Sequence, residues 1–200
     1  MDKVKLIVFD TRKHTYNELL LTLNISEEEA KALKKYRALD TRKEKLVSLY
    51  FKKKYVGEYS YNEYDKPISP NAFFNISHSK GVVVLALNKE VELGVDIEIL
   101  RAKDDDLIKY ICSEEEYKFV KNEIDFLSVW TNKESLVKCL GTGIKKNVKT
   151  IPALPLCGKK EYDGQSFYSK IIRHNDAIIS LTVKGNEDFD FEFYPLSKLS

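Results

Sequence analysis

Two spacings of apolar residues run along this chain. Val4 to Phe9 is an apolar-rich run that ends at Asp10, and Val82 to Leu87 is uninterrupted and of strand length. Val91 to Ile99 finishes in strict alternation, with Val95, Ile97 and Ile99 on one face and Gly94, Asp96 and Glu98 on the other. Further strand-like runs cover Phe167 to Arg173, Ala177 to Val183 and Phe189 to Tyr194, punctuated by turn signals at Gly164 and Asn175-Asp176. Pro152 and Pro155 mark a loop ahead of them.

Helical spacing lies between these runs. Ser26-Glu27-Glu28-Glu29 reads as a capping box that opens a helix through about Tyr36, and a second helix is predicted from near Asp40, burying Leu46, Leu49 and Tyr50. Beyond a charged linker at Arg101 to Asp106 come a short helix near Leu107 to Tyr110 and another opened by Ser113 with Glu116 at the box position. A longer helix runs from Asp125, read as its cap, to Leu140, with Gly141 placed to end it. Phe126, Val129, Leu136 and Leu140 supply its packing face, while Trp130, Glu134 and Lys138 share another face. No residue-level repeat stands by itself. Strand, helices, then strands in each half nevertheless allow a duplicated α/β unit, residues 1–100 and 101–200, with the break near Ile99 to Asp106.

Composition narrows the class. Two hundred residues at 43% hydrophobic composition suffice for a sizeable core. A net charge of +2 gives no nucleic-acid signal, and Lys52-Lys53-Lys54 and Lys145-Lys146 read as solvated faces. Cys112, Cys139 and Cys157 have no metal-ligand spacing and are odd in number, which predicts a reduced, cytoplasmic protein. Nothing reads as a signal peptide, and no window approaches the ~18 apolar residues of a membrane span, so a soluble protein is expected.

The chemistry sits on two of these elements. Asp96 and Glu98 leave one side of a strand with Cα atoms about 6.6 Å apart, near enough to converge on one ion. Such an oxygen pair suits Mg²⁺, which leaves its other positions to phosphates and water. The same pair also reads as the solvated acidic face of a half-exposed strand. Glu134 and Lys138, one turn apart, make either a surface pair or a site needing a metal or proton acceptor beside a phosphate cation.

Asn75-Ile76-Ser77-His78-Ser79, then Gly94-Val95-Asp96-Ile97-Glu98, then Trp130-Thr131-Asn132-Lys133-Glu134-Ser135 with Lys138, Gly141 and Gly143, closely resembles the Sfp-type 4′-phosphopantetheinyl transferases. The match is strongest from Tyr64 to Gly143. The resemblance implies a pseudo-dimer of two similar α/β halves, acting as a monomer, with coenzyme A and Mg²⁺ in the cleft between them. It implies transfer of the 4′-phosphopantetheine arm to a serine of an acyl or peptidyl carrier protein, with release of adenosine 3′,5′-bisphosphate. Asp96, Glu98 and Glu134 would then be the metal carboxylates, with Glu134 also the candidate base for the carrier serine. His78 and Lys138 would contact phosphates, Lys66 and Pro67 the adenine and 3′-phosphate end, with Ser77 and Lys133 also among the coenzyme A contacts.

Arg37, Arg42 and Lys45 are the candidates for the 3′-phosphate, and Glu44 stands where a basic residue is expected. Asp65 replaces a glycine found in many relatives; aspartate is among the few other residues that tolerate a positive φ. Glu116, Lys109, Tyr110 and Phe119 lie where relatives border the metal site and the carrier-docking surface. Two other readings remain: a relative that binds coenzyme A or a carrier without modifying it, and an unrelated Mg²⁺-dependent nucleotide enzyme. The second would need a G-x-x-x-x-G-K-[ST] loop, which the sequence lacks.

Overall fold

The computed structural model describes residues 2–23, 25–64, 66–100, 102, 104–144 and 147–199. The chain opens with β1 (Val4–Asp10), α1 (Tyr16–Thr22), α2 (Glu27–Leu33) and α3 (Leu39–Phe51), the last continued by a π turn over Lys52–Val56. A short ribbon of β2 (Ser60–Tyr61) and β3 (Pro67–Ile68) precedes β4 (Phe73–Ser79), β5 (Val82–Asn88) and β6 (Leu93–Ile99). Then come α4 (Asp105–Ile111), α5 (Glu114–Phe119), α6 (Glu123–Leu140), β7 (Gly158–Tyr162), β8 (Gln165–His174), β9 (Ala177–Lys184) and β10 (Phe191–Leu196). This is a mixed α/β fold.

Two four-stranded sheets organise it, in the orders β10-β1-β5-β4 and β6-β9-β8-β7. Only β10, lying parallel beside β1, departs from antiparallel pairing within them. Strand periodicity sorts the apolar residues into layers. Leu6, Val8, Val82 and Val84 meet Val95, Ile97, Ile179 and Leu181 in a core between the sheets. The opposite parity, Ile7, Phe9, Val83 and Leu85, packs under Leu19, Leu46, Val47 and Phe51 of α1 and α3. On the far side, Phe167 and Ile178 pack with Leu127, Val129 and Leu136 of α6 and Ile108 and Ile111 of α4. Val82 to Leu87 is therefore an unbroken apolar run because β5 is covered on both faces.

The helix boundaries follow their caps. Ser26–Glu29 and Ser113–Glu116 form the predicted capping boxes, and Gly141 ends α6 at φ +78°. Three boundaries differ from expectation. The helix opened by Ser26 stops at Leu33, short of Tyr36. The cap of α6 is Asn122, whose side chain accepts from the Asp125 N–H; Asp125 instead accepts from the Lys121 N–H at 2.9 Å. A third box, Thr15 with Glu18, opens α1, which the apolar spacing did not reveal. Of the residues expected inside α3, Leu46 is buried, while Leu49 and Tyr50 are only partly covered. Among the described residues, no helix is long and apolar enough to cross a membrane.

Candidate active site

The two sheets meet along β4 and β6, and there the sequence motifs zip together. Asn75 Oδ1 accepts from the Val95 N–H at 3.0 Å, Ser77 Oγ donates to Asp96 Oδ1 at 2.8 Å, and Ser79 Oγ donates to Glu98 Oε2 at 2.8 Å. Helix α6 crosses directly over β6 because Gly94 has no side chain: a Cβ there would lie 2.1 Å from the Ser135 carbonyl oxygen and 2.3 Å from Cys139 N. That close approach sets Lys138 Nζ 2.6 Å from Asp96 Oδ1 and 3.0 Å from Ser77 Oγ. Glu134, one turn back, lines the same cavity of about 310 Å³ with Lys138, Lys66, Pro67, Asn75 and Tyr64.

This arrangement decides between the two readings of the acidic strand. Asp96 is 5% exposed and Glu98 is partly covered, so the face is no solvated edge. Burial raises the Asp96 carboxyl above its ordinary range, although Lys138 and Ser77 pull it back. Glu134 is likewise raised, by burial first and then by the negative charge of Asp96, with Glu98 adding to it. Among the described residues, no three acidic, histidine or cysteine side chains are gathered closely enough to hold a metal ion. Asp96 is turned to Lys138 and Glu98 to Ser79. The donor chemistry nevertheless fits a hard divalent cation, because the charges of Asp96 and Glu98 both bear on Glu134 in a half-buried, oxygen-only set.

His78 faces the other way. Strand parity sends Phe74, Ile76 and His78 toward α3, while Asn75, Ser77 and Ser79 go to β6. His78 lines a second cavity, of about 480 Å³, with Tyr36, Lys45, Lys52, Tyr61 and Pro67. Lys45 Nζ lies 2.9 Å from His78 Nε2, and Glu44 Oε2 lies 3.0 Å from Nδ1. Pro67 lines both cavities. Beside it, Lys66 packs its stem on Gly141 and donates to the Cys139 carbonyl at 2.8 Å; burial lowers its proton affinity.

The remaining expected site residues fall elsewhere. Arg42 donates to the Tyr36 carbonyl at 2.6 Å and the Lys34 carbonyl at 3.4 Å, and Arg37 is exposed in the connection between α2 and α3. Lys45 alone of the three 3′-phosphate candidates lines the cavity. Lys133 corrects its expectation: it is fully buried, paired with Glu116 at 2.8 Å and donating to the Val148 and Ile151 carbonyls at 3.0 and 2.7 Å. Its partner Glu116 is equally internal, capping α5 and accepting from Ala153 N–H at 3.0 Å, so it borders no docking surface. Lys109, Tyr110 and Phe119 are exposed on α4 and α5. The position of Asp65 lies outside the described residues. Glu44, Asn75 and Ser79 join the site unannounced; reading Asn75 to Ser79 as a strand would have exposed the two-sided parity.

Residues 92–179 match the family model described as the 4′-phosphopantetheinyl transferase superfamily. Through this region the chain is similar to that superfamily. It is 28% identical over 149 residues to 4′-phosphopantetheinyl transferase gsp of Aneurinibacillus migulanus, covering 66% of this chain and 62% of that one. Over 103 residues it is 32% identical to 4′-phosphopantetheinyl transferase HetI of Nostoc sp., covering 44% of each. A third relative, 4′-phosphopantetheinyl transferase AcpT of Salmonella typhimurium, is 34% identical over 109 residues, 49% of this chain and 57% of that one. In these matches the chain spans between 44% and 62% of its relatives' length.

Proposed function

We propose that this chain is an Sfp-type transferase that moves the 4′-phosphopantetheine arm of coenzyme A onto a serine of an apo acyl or peptidyl carrier protein, releasing adenosine 3′,5′-bisphosphate. One observation carries this reading. A cavity lined by Glu134 and by Lys138, the ion-pair partner of Asp96, adjoins, across Pro67, a second cavity with Lys45, Lys52 and His78. An extended ligand with phosphates at separate points fits two such cavities in series. Phosphoryl transfer needs alignment and charge stabilisation more than covalent help, and these residues supply both.

Asp96, Glu98 and Glu134 would hold Mg²⁺, which when bound neutralises pyrophosphate charge and polarises its oxygens. Lys138 offsets negative charge on the departing bisphosphate, with Ser77 fixing its ammonium. Glu134 takes the proton of the carrier serine, and its raised proton affinity suits that task better than an ordinary surface carboxylate would. Lys45, His78, Lys66 and Pro67 receive the nucleotide end. The two halves, 1–100 and 101–200, are read as a pseudo-dimer that exchanges strands, β6 passing to the second sheet and β10 returning to the first. A cytoplasmic monomer accords with this reading.

Glu134→Gln is expected to bind coenzyme A as the wild type does and to form holo carrier at least about a hundredfold more slowly, the range of a lost general base. Calorimetry and a turnover assay measure the two separately. A variant that turns over at the wild-type rate would remove Glu134 from the base role. Wild-type protein that binds coenzyme A yet modifies no carrier would favour the binding-only relative.

A further inference from the structure

The buried carboxylate of Glu44 has no part in the reading above, yet it touches the group on which the second cavity depends. Glu44 is 6% exposed, on the inner side of α3. Its Oε1 accepts from the Gly81 N–H at 2.6 Å, in the β4–β5 turn where Gly81 takes φ +88°. Its Oε2 lies 3.0 Å from His78 Nδ1. On the far side of the ring, Nε2 lies 2.9 Å from Lys45 Nζ. An ammonium has no acceptor, so Nζ donates to Nε2 and the ring proton sits on Nδ1, donated to Glu44. The order is thus fixed: turn amide, carboxylate, imidazole, ammonium, cavity.

We propose that Glu44 is a positioning residue, which locks His78 as the Nδ1–H tautomer and so holds the Lys45 ammonium at the cavity wall to receive an anionic group of the nucleotide. The ligand's identity rests on the transferase reading; the positioning chain does not. Glu44 can do this only as a carboxylate. Burial works against the charge, but the His78 and Gly81 hydrogen bonds outweigh it and the Glu44 carboxyl lies below its usual range. Lys45 sits on the same helix one residue on and makes a second contact, 5.9 Å from the centre of the Tyr36 ring, that keeps its stem on the cavity side. A residue of unexpected sign at this position is therefore the support of the basic residue next to it.

The test uses the whole chain and two readouts. The chain has three histidines, so His78→Gln assigns the His78 ring signals in a ¹⁵N–¹H imidazole spectrum. In the wild type that spectrum is expected to show the Nδ1–H tautomer, and in Glu44→Gln a mixture of tautomers. Adenosine 3′,5′-bisphosphate, titrated by calorimetry, is expected to bind Glu44→Gln about tenfold more weakly, the value of one charge-assisted hydrogen bond. In a His78→Gln background, Glu44→Gln should weaken binding no further, because the two act as one chain.

Ring signals and affinity both unchanged in Glu44→Gln would overturn the proposal, as would fully additive losses in the double variant. Should Glu44→Gln fail to fold, Glu44→Asp, which withdraws the carboxylate while keeping its charge, takes its place with the same readouts and the same outcomes. If the wild type does not bind the bisphosphate at all, the transferase reading fails, and the ring signals alone decide the role of Glu44.

Discussion

Lysines in this chain divide by what surrounds their ammonium groups. Lys138 is partly exposed and ion-paired with Asp96, a contact an incoming ligand or cation can exchange. Lys133, five residues earlier, is sealed inside with Glu116 and two carbonyls. Burial lowers the proton affinity of Lys133 while Glu116 restores part of it. Removing one partner of such a pair leaves an uncompensated buried charge, so Lys133→Met is expected to lower stability by about 3–5 kcal/mol. Urea unfolding measures the loss, and the folded fraction should retain its affinity for coenzyme A; an unaltered unfolding midpoint with weakened coenzyme A binding would return Lys133 to the site. The motif resemblance grouped the two lysines as coenzyme A contacts, whereas their helical spacing separates them. Lys133 lies four residues after Val129 and three before Leu136, on the packing face of the helix, whereas Lys138 follows Glu134 by one turn on the other.

Among the elements, the crossing of α6 over β6 sets the site. Its clearance depends on Gly94, whose absent Cβ would strike backbone atoms at 2.1 and 2.3 Å, which cannot yield by rotating a side chain. Gly94→Ala is therefore expected to push the helix away, destabilise the fold by about 3 kcal/mol or more, and separate Lys138 from Asp96. Chemical denaturation and loss of coenzyme A binding by the residual folded protein would register both; a near-neutral variant would mean that the helix yields without consequence for the site. Elements announced by local chemistry were legible, such as the boxes at Ser26 and Ser113 and the Gly141 stop. The start of α6 was not, because Asn122 and Asp125 are both good caps and cap each other's end of the first turn. The edge strand Gly158–Tyr162 was also hidden, since its sequence, Gly-Lys-Lys-Glu-Tyr, offers neither alternation nor an apolar run. His78 was placed in the site by motif, but its separation from Ser77 needed the strand parity.

At the scale of the whole molecule, the two sheets are joined by more than their shared core. Arg12, after β1, bonds Asp10 and reaches across to Asp176 in the β8–β9 turn at 2.6 Å. Its hydrogen bonds hold both carboxyls below their ordinary value of 3.8. With folded values depressed, the clamp's contribution is complete well above that pH and is lost as pH falls through the folded values. The groups are partly exposed, so the gain is under about 1 kcal/mol. Arg12→Gln is expected to lower the neutral-pH unfolding midpoint slightly and to flatten the loss of stability below about pH 4. Parallel pH profiles for the two proteins would show that the clamp is not coupled to folding.

The central claim is a group transfer, and the product itself reports on it most directly. The mass of an intact apo carrier protein, measured after incubation with this chain, coenzyme A and Mg²⁺, is expected to rise by one phosphopantetheine arm, and the rise should vanish when a chelator removes the metal. No mass gain on several unrelated carriers, from protein that still binds coenzyme A, would contradict it.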